Sequence, residues 1–449
     1  MRFMVVGNGA REHAISDALM RSQQVELYAF MSAKNPGIAR LCRDFEIGDT
    51  CDPGAVKKYA QSRGIDVCVV GPEAPLEAGV VDAVESAGIK CAGPRKSPAR
   101  IETDKSFARN LMKKYSIEGC PNFAVFENVN DALNFTENPG VQDGLNFQAN
   151  SYVIKPSGLT GGKGVRVMGE HLQSVQDAKD YISSIFRKEG ASVVIEDKLV
   201  GEEFTLQAFV DGTNVVGTHT IQDHKRAYEN DIGPNTGGMG SYADADFVLP
   251  FLKNDDYEKA IEIMENVVKA IKKETGEPYR GFLYGQFMAT RDGLKIIEFN
   301  ARLGDPEAMN ILSILVDDFA EICTKIAEGD LGDFDPIFAD SATVCKYLVP
   351  KGYPDSPAAD SEITADEFGI ASLGGKIYYA AVREEDGKIY TSSSRAVAVV
   401  GIEDTIEAAE AIAEECIGMI AGNLYHRKDI GTKHLIQKRI DHLRALRGG

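Results

Sequence analysis

Three spacings of apolar residues alternate along this chain, and each change of spacing marks an element. Short apolar runs, each carrying a single charged residue near its start, stand at 2–6, 25–30, 65–70 and 89–92, separated by stretches of helical period, the first of which continues to Leu19. Near-continuous apolar runs suit strands buried on both faces. Their alternation with helices predicts an open parallel α/β sheet that binds its ligand at the carboxyl edge. Ser97-Pro98 predicts the cap and first turn of a helix carrying Lys105. Helix followed by a polar surface loop is predicted over 127–150, then strands at 151–156 and 165–168, a helix at 174–187, strands from Val193 and at 204–210, and an amphipathic helix at 255–274. Prolines and aspartates at 331–336 and 350–357 read as linkers. Around and after them, strands at 343–349, 376–382 and 388–391, an Asp386-Gly387 turn and a helix at 404–420 predict a small α+β unit.

The period-two pattern is most informative at 281–289 and 295–300, a predicted hairpin. Glu298 and Asn300 point one way, Ile297 and Phe299 the other. A two-residue Asp292-Gly293 turn would put Gln286 on the face opposite Glu298. A three-residue turn from Arg291 to Gly293, with Gly293 left-handed in a bulge, sets Gln286 directly across from it, and this register is the one predicted. A carboxylate and an amide on an inner face suit a hard cation shared with substrate phosphates. The ordinary alternative is an ion pair between Glu298 and Arg302.

Composition narrows the function. At 449 residues the chain has room for about three domains. Its charge of −19 argues against a general nucleic-acid or membrane-surface binder, leaving local basic pockets for phosphorylated small molecules. No apolar run is long enough to span a bilayer, and the first residues read as a strand entering a glycine turn, not a signal peptide, so a cytoplasmic protein is expected. Eight cysteines without a Cys-x-x-Cys pair or zinc spacing read as reduced core residues.

Several loops carry candidate chemistry. Gly7-Asn-Gly-Ala-Arg-Glu-His13 joins a strand to a helix N-terminus and turns backbone N–H groups toward an anion. Glu12 in the third glycine position, and the lack of an acid ending the 25–30 strand, weaken a dinucleotide reading, while Arg11 suggests a phosphate or phosphosugar. Gly71-Pro-Glu-Ala-Pro-Leu76 is a second such loop, before a helix beginning near Glu77. Ser157-Gly-Leu-Thr-Gly-Gly-Lys-Gly164, with Lys155 and Lys163, suits a phosphate cover but is not a Walker A loop, since a strand follows it. The strand running into Glu196 and Leu199 offers backbone groups to an adenine and Glu203 offers a carboxylate to ribose; a strand end and a charged turn are the plainer reading. In the long loop 222–241, His224, Lys225 and Arg226 are placed to grip an anionic substrate, and Tyr425-His-Arg-Lys-Asp-Ile-Gly431 is a compact basic motif suited to a phosphate.

Taken in order, Gly7-Asn-Gly-Ala-Arg-Glu-His13, Gly71-Pro-Glu-Ala-Pro-Leu76, Gln222-Asp-His-Lys-Arg226, Gly233-Pro-Asn-Thr-Gly-Gly-Met-Gly240 and Glu298-Phe-Asn300 resemble the glycinamide ribonucleotide synthetase family of ATP-grasp enzymes, over the whole chain. The resemblance implies an N-terminal α/β substrate domain at 1–103, an ATP-grasp domain at 104–330 with a mobile lid at about 121–198, and a C-terminal α+β domain at 331–449. It implies ATP-dependent joining of glycine to 5-phosphoribosylamine through a glycyl phosphate. Two Mg²⁺ or Mn²⁺ ions would sit on Gln286, Glu298 and Asn300. ATP would meet Lys105, Lys155, Ser157, Gly158, Gly161, Gly162, Lys163, Gly164, Glu196, Leu199 and Glu203. Arg302, Asp305 and Lys155 would serve the chemistry, and Gly9, Arg11, Glu73, Pro75, Asp223, Lys225, Arg302 and Arg427 the substrates. Ala10 and Thr160 depart from residues common in the family, and the polar segment from Gly140 to Asn150 is longer than usual. With no further domain after Gly449, one activity is expected, as monomer or weak dimer. Rival readings are another ATP-grasp carboxylate–amine ligase, an NAD-dependent dehydrogenase and a nucleotide-binding regulator.

Overall fold

The computed structural model describes residues 1–137, 151–161 and 164–448. The whole of Gly140 to Asn150, together with Gly162 and Lys163 of the glycine-rich turn, therefore lies outside the described residues.

The N-terminal apolar runs form a parallel sheet in the order Asp44–Ile47, Glu26–Met31, Arg2–Val6, Val67–Val70, Lys90–Ala92. Because Arg2–Val6 lies between the strands that come second and fourth, its following loop and that of Val67–Val70 meet at the carboxyl edge, the switch point where ligands of such sheets bind. The strand Asp44–Ile47 has no apolar run to announce it: it is a half-exposed edge. The helix after Gly71-Pro72 is Glu73–Ala78, so it begins at Glu73 itself rather than near Glu77. Lys105 is not on the helix that Ser97-Pro98 opens. That helix, Lys96–Thr103, stops at Asp104, whose side chain caps a new one, Lys105–Lys114.

The central sheet is antiparallel and crosses most of the molecule. Its order is Gly293–Asn300, Arg280–Thr290, Gly201–Asp211, Val215–Asp223, Gly240–Ala243, Ala342–Pro350, Val397–Glu403, Lys376–Tyr379, with Leu424–Tyr425 added beside Ala342–Pro350. The C-terminal segment is α+β as expected. It extends this sheet and also builds a small one from Val382–Glu385, Lys388–Thr391, Glu362–Ala365 and Ile420–Ala421, with Asp386 and Gly387 left-handed in the predicted turn.

The described residues between 123 and 197 form a separate layer: strands Phe123–Phe126, Val193–Asp197, Tyr152–Pro156 and Arg166–Val167, backed by helices Val129–Glu137 and Val175–Ile185 around a core of their own.

The hairpin reaches the predicted register by another route. Gln286 does stand opposite Glu298, but the turn has two residues, Arg291 and Asp292, closed by Thr290 and Gly293. The shift comes from a bulge, with Gln286 paired to Glu298 and Phe287 to Ile296, leaving Ile297 as the inserted residue.

In the strand Val397–Glu403, Gly401 lets the helix Ile406–Ile417 lie on the sheet, since a Cβ there would meet the Ala409 carbonyl oxygen at 1.9 Å. Gly401→Ala is expected to cost about 1–3 kcal/mol, read as a lower urea midpoint at unchanged slope.

Candidate active site

The site begins with an alternation. Glu203, Thr205 and Gln207 on one strand, Tyr284 and Gln286 on the next and Glu298 and Asn300 on the last share a face. The register stacks Thr205, Gln286 and Glu298 in one row and Gln207, Tyr284 and Asn300 in the row beside it. The other face is apolar, with Phe204 stacked on Phe287 at 5.3 Å. Gln286 is held at both ends of its amide: its Nε2 donates to Glu203 Oε2 at 2.8 Å, and its Oε1 accepts from Lys225 Nζ at 2.7 Å.

Lys225 arrives from the long loop after Val215–Asp223. Burial pulls its ammonium down, but Glu298, Asp223, Glu203 and Glu307 around it outweigh that and hold it above its ordinary value. Glu298 shows the converse. Burial alone would raise its carboxyl, yet Lys225, Lys105, Lys155 and Arg302 bring it below the ordinary carboxylate value. Asp223, half-buried, with its Oδ1 shielded from solvent and unpartnered among the described residues, is pushed well up by desolvation and by Glu307.

The bulge supplies the next contacts. Its carbonyl, on Ile297, accepts from Lys155 Nζ at 2.9 Å and from Arg109 Nη2 at 2.7 Å. Both cations grip Glu196, Arg109 Nε at 2.8 Å from its Oε2 and Lys155 on its Oε1. Glu196 thus serves the site through its carboxylate, while its backbone sits in the ladder between Phe123 and Val153. Leu199, half-buried, lies in the short link between the lid and Gly201–Asp211. Ser157 is tied down: its hydroxyl donates to Asp104 Oδ1 at 2.9 Å and accepts from the Ser106 N–H at 3.0 Å. Lys105 reaches the Gly158 carbonyl at 3.2 Å. Among the described residues, a Cβ added at Gly158 or Gly161 would meet nothing within 4 Å, whereas at Gly164 it would meet Thr160.

Arg302 does not pair with Glu298. Its guanidinium is clamped by Glu73 at 3.3 Å and Glu102 at 3.1 Å, and it donates weakly to Asn300 Oδ1 at 3.4 Å. Burial resists the ionisation of Glu73, but Arg302 and Arg11 bring its carboxyl down to about 2. Glu102 goes the other way: burial lifts it to about 7, against the pull of Arg302, while its Oε2 accepts the Ala301 N–H at 2.6 Å. Arg11 donates to Glu12 at 2.6 Å and to the Leu303 carbonyl at 3.1 Å. The glycines of this corner house Glu12: a Cβ on Gly71 would meet its carboxylate at 2.2 Å, and the Gly9 N–H donates to it at 2.6 Å. That amide is thus already taken by a carboxylate of the same chain. Pro75 is buried in the short helix that Glu73 opens. Asp305 Oδ1 accepts from the Tyr347 hydroxyl at 2.5 Å and pairs with Arg395 at 3.2 Å, and Arg395 lies over the Tyr347 ring.

Three expected ligand residues are employed elsewhere. Arg427 is fully buried and spends its donors on Asp231, Asp429 and the Arg226 carbonyl, leaving it no face toward a substrate. Arg226 pairs with Glu170 of the lid layer at 2.7 Å, and His224 is buried, lowered to about 3 by desolvation and by Arg427. Conversely, sequence reasoning missed Gln207, Tyr284, Glu102, Arg109, Arg395 and Glu307, whose Oε1 accepts the Tyr284 hydroxyl at 2.8 Å. Gln207 and Tyr284 were within reach of the same period-two pattern that singled out Glu298 and Asn300.

A parallel N-terminal sheet, a polar-faced antiparallel sheet ringed by cations and a separate four-stranded lid layer together make up the architecture of an ATP-grasp enzyme. The biotin carboxylase domain of Hydrogenobacter thermophilus 2-oxoglutarate carboxylase, solved with MgADP, has this fold, at a TM-score of 0.70 and 14% identity over 99% of this chain and 93% of its own. Family models narrow the class: the phosphoribosylglycinamide synthetase N domain matches residues 1–102, the ATP-grasp (A) domain 103–308 and the C domain 343–433. The chain belongs to the phosphoribosylglycinamide synthetase family. It is 53% identical to the phosphoribosylamine–glycine ligase of Methanosarcina barkeri and 50% identical to that of Methanocaldococcus jannaschii, covering the full length of both pairs. The crystal structure of the Thermotoga maritima phosphoribosylamine–glycine ligase superposes with a TM-score of 0.80 at 30% identity, over 96% of this chain and all of that one.

Folding binds a proton at Glu102 between its ordinary 4.5 and about 7, so its contribution to stability falls as pH rises through that window. Glu102→Gln, which can still accept from Ala301, should remove a slope of up to ~1.4 kcal/mol per pH unit, seen by comparing urea unfolding of the two proteins from pH 5 to 7.

Proposed function

We propose that this sheet face joins glycine to 5-phosphoribosylamine, driven by ATP, releasing ADP and phosphate and forming glycinamide ribonucleotide for purine biosynthesis. The glycine carboxylate attacks the γ-phosphate to give glycyl phosphate, and the phosphoribosylamine nitrogen then displaces phosphate. The observation that carries the reading is the row of oxygen donors, Gln286 and Glu298 in register with Asn300 beside them, facing Lys155, Lys225 and Arg302. Phosphoryl transfer asks for such positioning and charge balance more than for covalent help from the protein.

The donors suit two Mg²⁺ or Mn²⁺ ions. They are all oxygens, and the Lys225 ammonium already rests on Gln286 Oε1, a position that accepts a cation. Glu298, Gln286 and Asn300 would hold the ions, which when bound supply neutralisation of the triphosphate.

The protein's own groups divide the remaining work. Lys105 and Lys155 bind phosphate oxygens, Leu199 and Glu203 take the nucleoside, and Glu196 keeps Lys155 aligned from beneath. Arg302, fixed by two carboxylates, stabilises the charge on the acyl phosphate, with Asp305 oriented beside it by Tyr347 and Arg395. Arg11, Glu73 and the Gly9 loop at the switch point receive phosphoribosylamine. Eight free cysteines and the absence, among the described residues, of any helix long and apolar enough to cross a membrane are in keeping with work in the cytoplasm.

The direct test is glycinamide ribonucleotide formation, followed by mass spectrometry alongside ADP release, with ATP and freshly made phosphoribosylamine, with and without glycine. ADP release that ignores glycine, or that another carboxylate supports in its place, would overturn the reading in favour of a different ATP-grasp carboxylate–amine ligase. Glu298→Gln keeps the shape and removes the charge; turnover should fall by at least about 10²-fold while the thermal midpoint stays near that of the parent.

A further inference from the structure

The loop that delivers Lys225 to the site is anchored from behind. After the strand Val215–Asp223 it forms a small hairpin of Arg226–Tyr228 and Ile232–Asn235 before returning at Gly240–Ala243. At the hairpin tip Asn230 and Asp231 are both left-handed, with φ of 64° and 58°. Residues other than glycine keep that backbone where surrounding contacts over-determine it.

Here the contacts come from the C-terminal segment. The Asp231 carboxylate pairs with Arg427 at 3.0 Å and with Arg439. The Asn230 N–H donates to Asp429 Oδ2 at 2.8 Å, and Arg427 itself grips Asp429 through Nε and Nη2. Arg427 Nη1 also donates to the carbonyl of Arg226, the residue directly after Lys225, at 3.0 Å. Arg439 stands on the terminal helix Lys433–Arg447, which lies against Gly201–Asp211 and is fixed at its far end by Arg447 on Asp256 at 2.8 Å. The same Arg439 pairs with Glu202 at 3.3 Å, the neighbour of the Glu203 that holds Gln286.

Resting on the ligase reading above, we propose that Arg427 and Arg439 are positioning residues: they hold the left-handed hairpin tip through Asp231 and so keep Lys225 seated on Gln286. Neither touches the polar face of the sheet. Their effect on the reaction passes through the loop, so it should be lost when the loop is released even though every donor on the sheet remains. Of the two, Arg439 is the better handle, its side chain being 18% exposed where that of Arg427 is fully buried.

The test uses the full chain carrying Arg439→Gln or Arg439→Lys, with three readouts: thermal midpoint, kinetics, and labelling of Lys225 by acetic anhydride followed by mass spectrometry. The expectation for Arg439→Gln is a midpoint within a few degrees of the parent, kcat lower by about ten-fold with KM values little changed, and Lys225 acetylated several-fold faster, while Arg439→Lys restores most of both. Parental kcat with parental protection of Lys225 would overturn the proposal, and so would lost kcat with Lys225 still protected, which is what a merely structural arginine would give. If Arg439→Gln folds poorly, Asp231→Asn, which removes the charge that both arginines grip, is scored by the same criteria. Absence of glycine-dependent turnover in the parent would sink the ligase reading, and the labelling would still decide the positioning role.

Discussion

A sheet face that gathers four carboxylates, with Glu307 buried, Glu298 and Asp223 half-buried and Glu203 at its exposed rim, holds together only while cations converge on it, because a carboxylate withdrawn from water without compensation costs several kcal/mol. The cations here come from different parts of the chain. Lys225 descends from the loop after Val215–Asp223, Lys155 from the lid layer, Arg302 from the end of the hairpin's own strand, and Arg395 from the C-terminal segment onto Asp305. Each element is therefore located electrostatically as well as by packing. Displacing any one of them leaves charge unpaired in low dielectric, where such pairs act most strongly.

The bulge at Ile297 makes that convergence geometrically possible. With the observed two-residue turn and no insertion, Gln286 would face Ile297, and Glu298 and Asn300 would turn to the apolar side. Inserting one residue rotates both onto the polar face. It also takes the Ile297 carbonyl out of the ladder, and that oxygen is the one that collects Lys155 and Arg109. Both cations then bind Glu196, so the lid layer is coupled to the hairpin through the residue that corrects the hairpin's register.

Much of this was legible in the sequence wherever the signal was periodic. The parallel strands announced themselves as apolar runs, and the polar face as alternating residues at 286, 298 and 300. The edge strand Asp44–Ile47, half in water, carried no such signal. The turn length was misjudged because glycine after aspartate suits a bulged three-residue turn as well as the end of a two-residue one. Only the pairing along the whole ladder distinguishes them. Glu102, Arg109 and Arg395 were invisible for another reason: their partners lie far away in sequence, and no local pattern marks a charge that will be buried.

The same limitation explains why Arg427 looked like a ligand residue. Tyr425-His-Arg-Lys-Asp-Ile-Gly431 is locally basic, but this chain has 68 acidic residues to 49 lysines and arginines. Cations are the minority charge, so a basic motif is readily consumed by internal partners. Arg427 meets Asp231 and Asp429, with a backbone carbonyl accepting what they leave. Lys225 escapes that fate for a different reason: the acids around it, Glu298 foremost, are themselves the oxygens a divalent ion would seek. In an acidic protein a phosphate site is thus better recognised by clustered carboxylates and amides facing several cations than by basic motifs alone. By that criterion the polar face of the central sheet qualifies and the C-terminal motif does not.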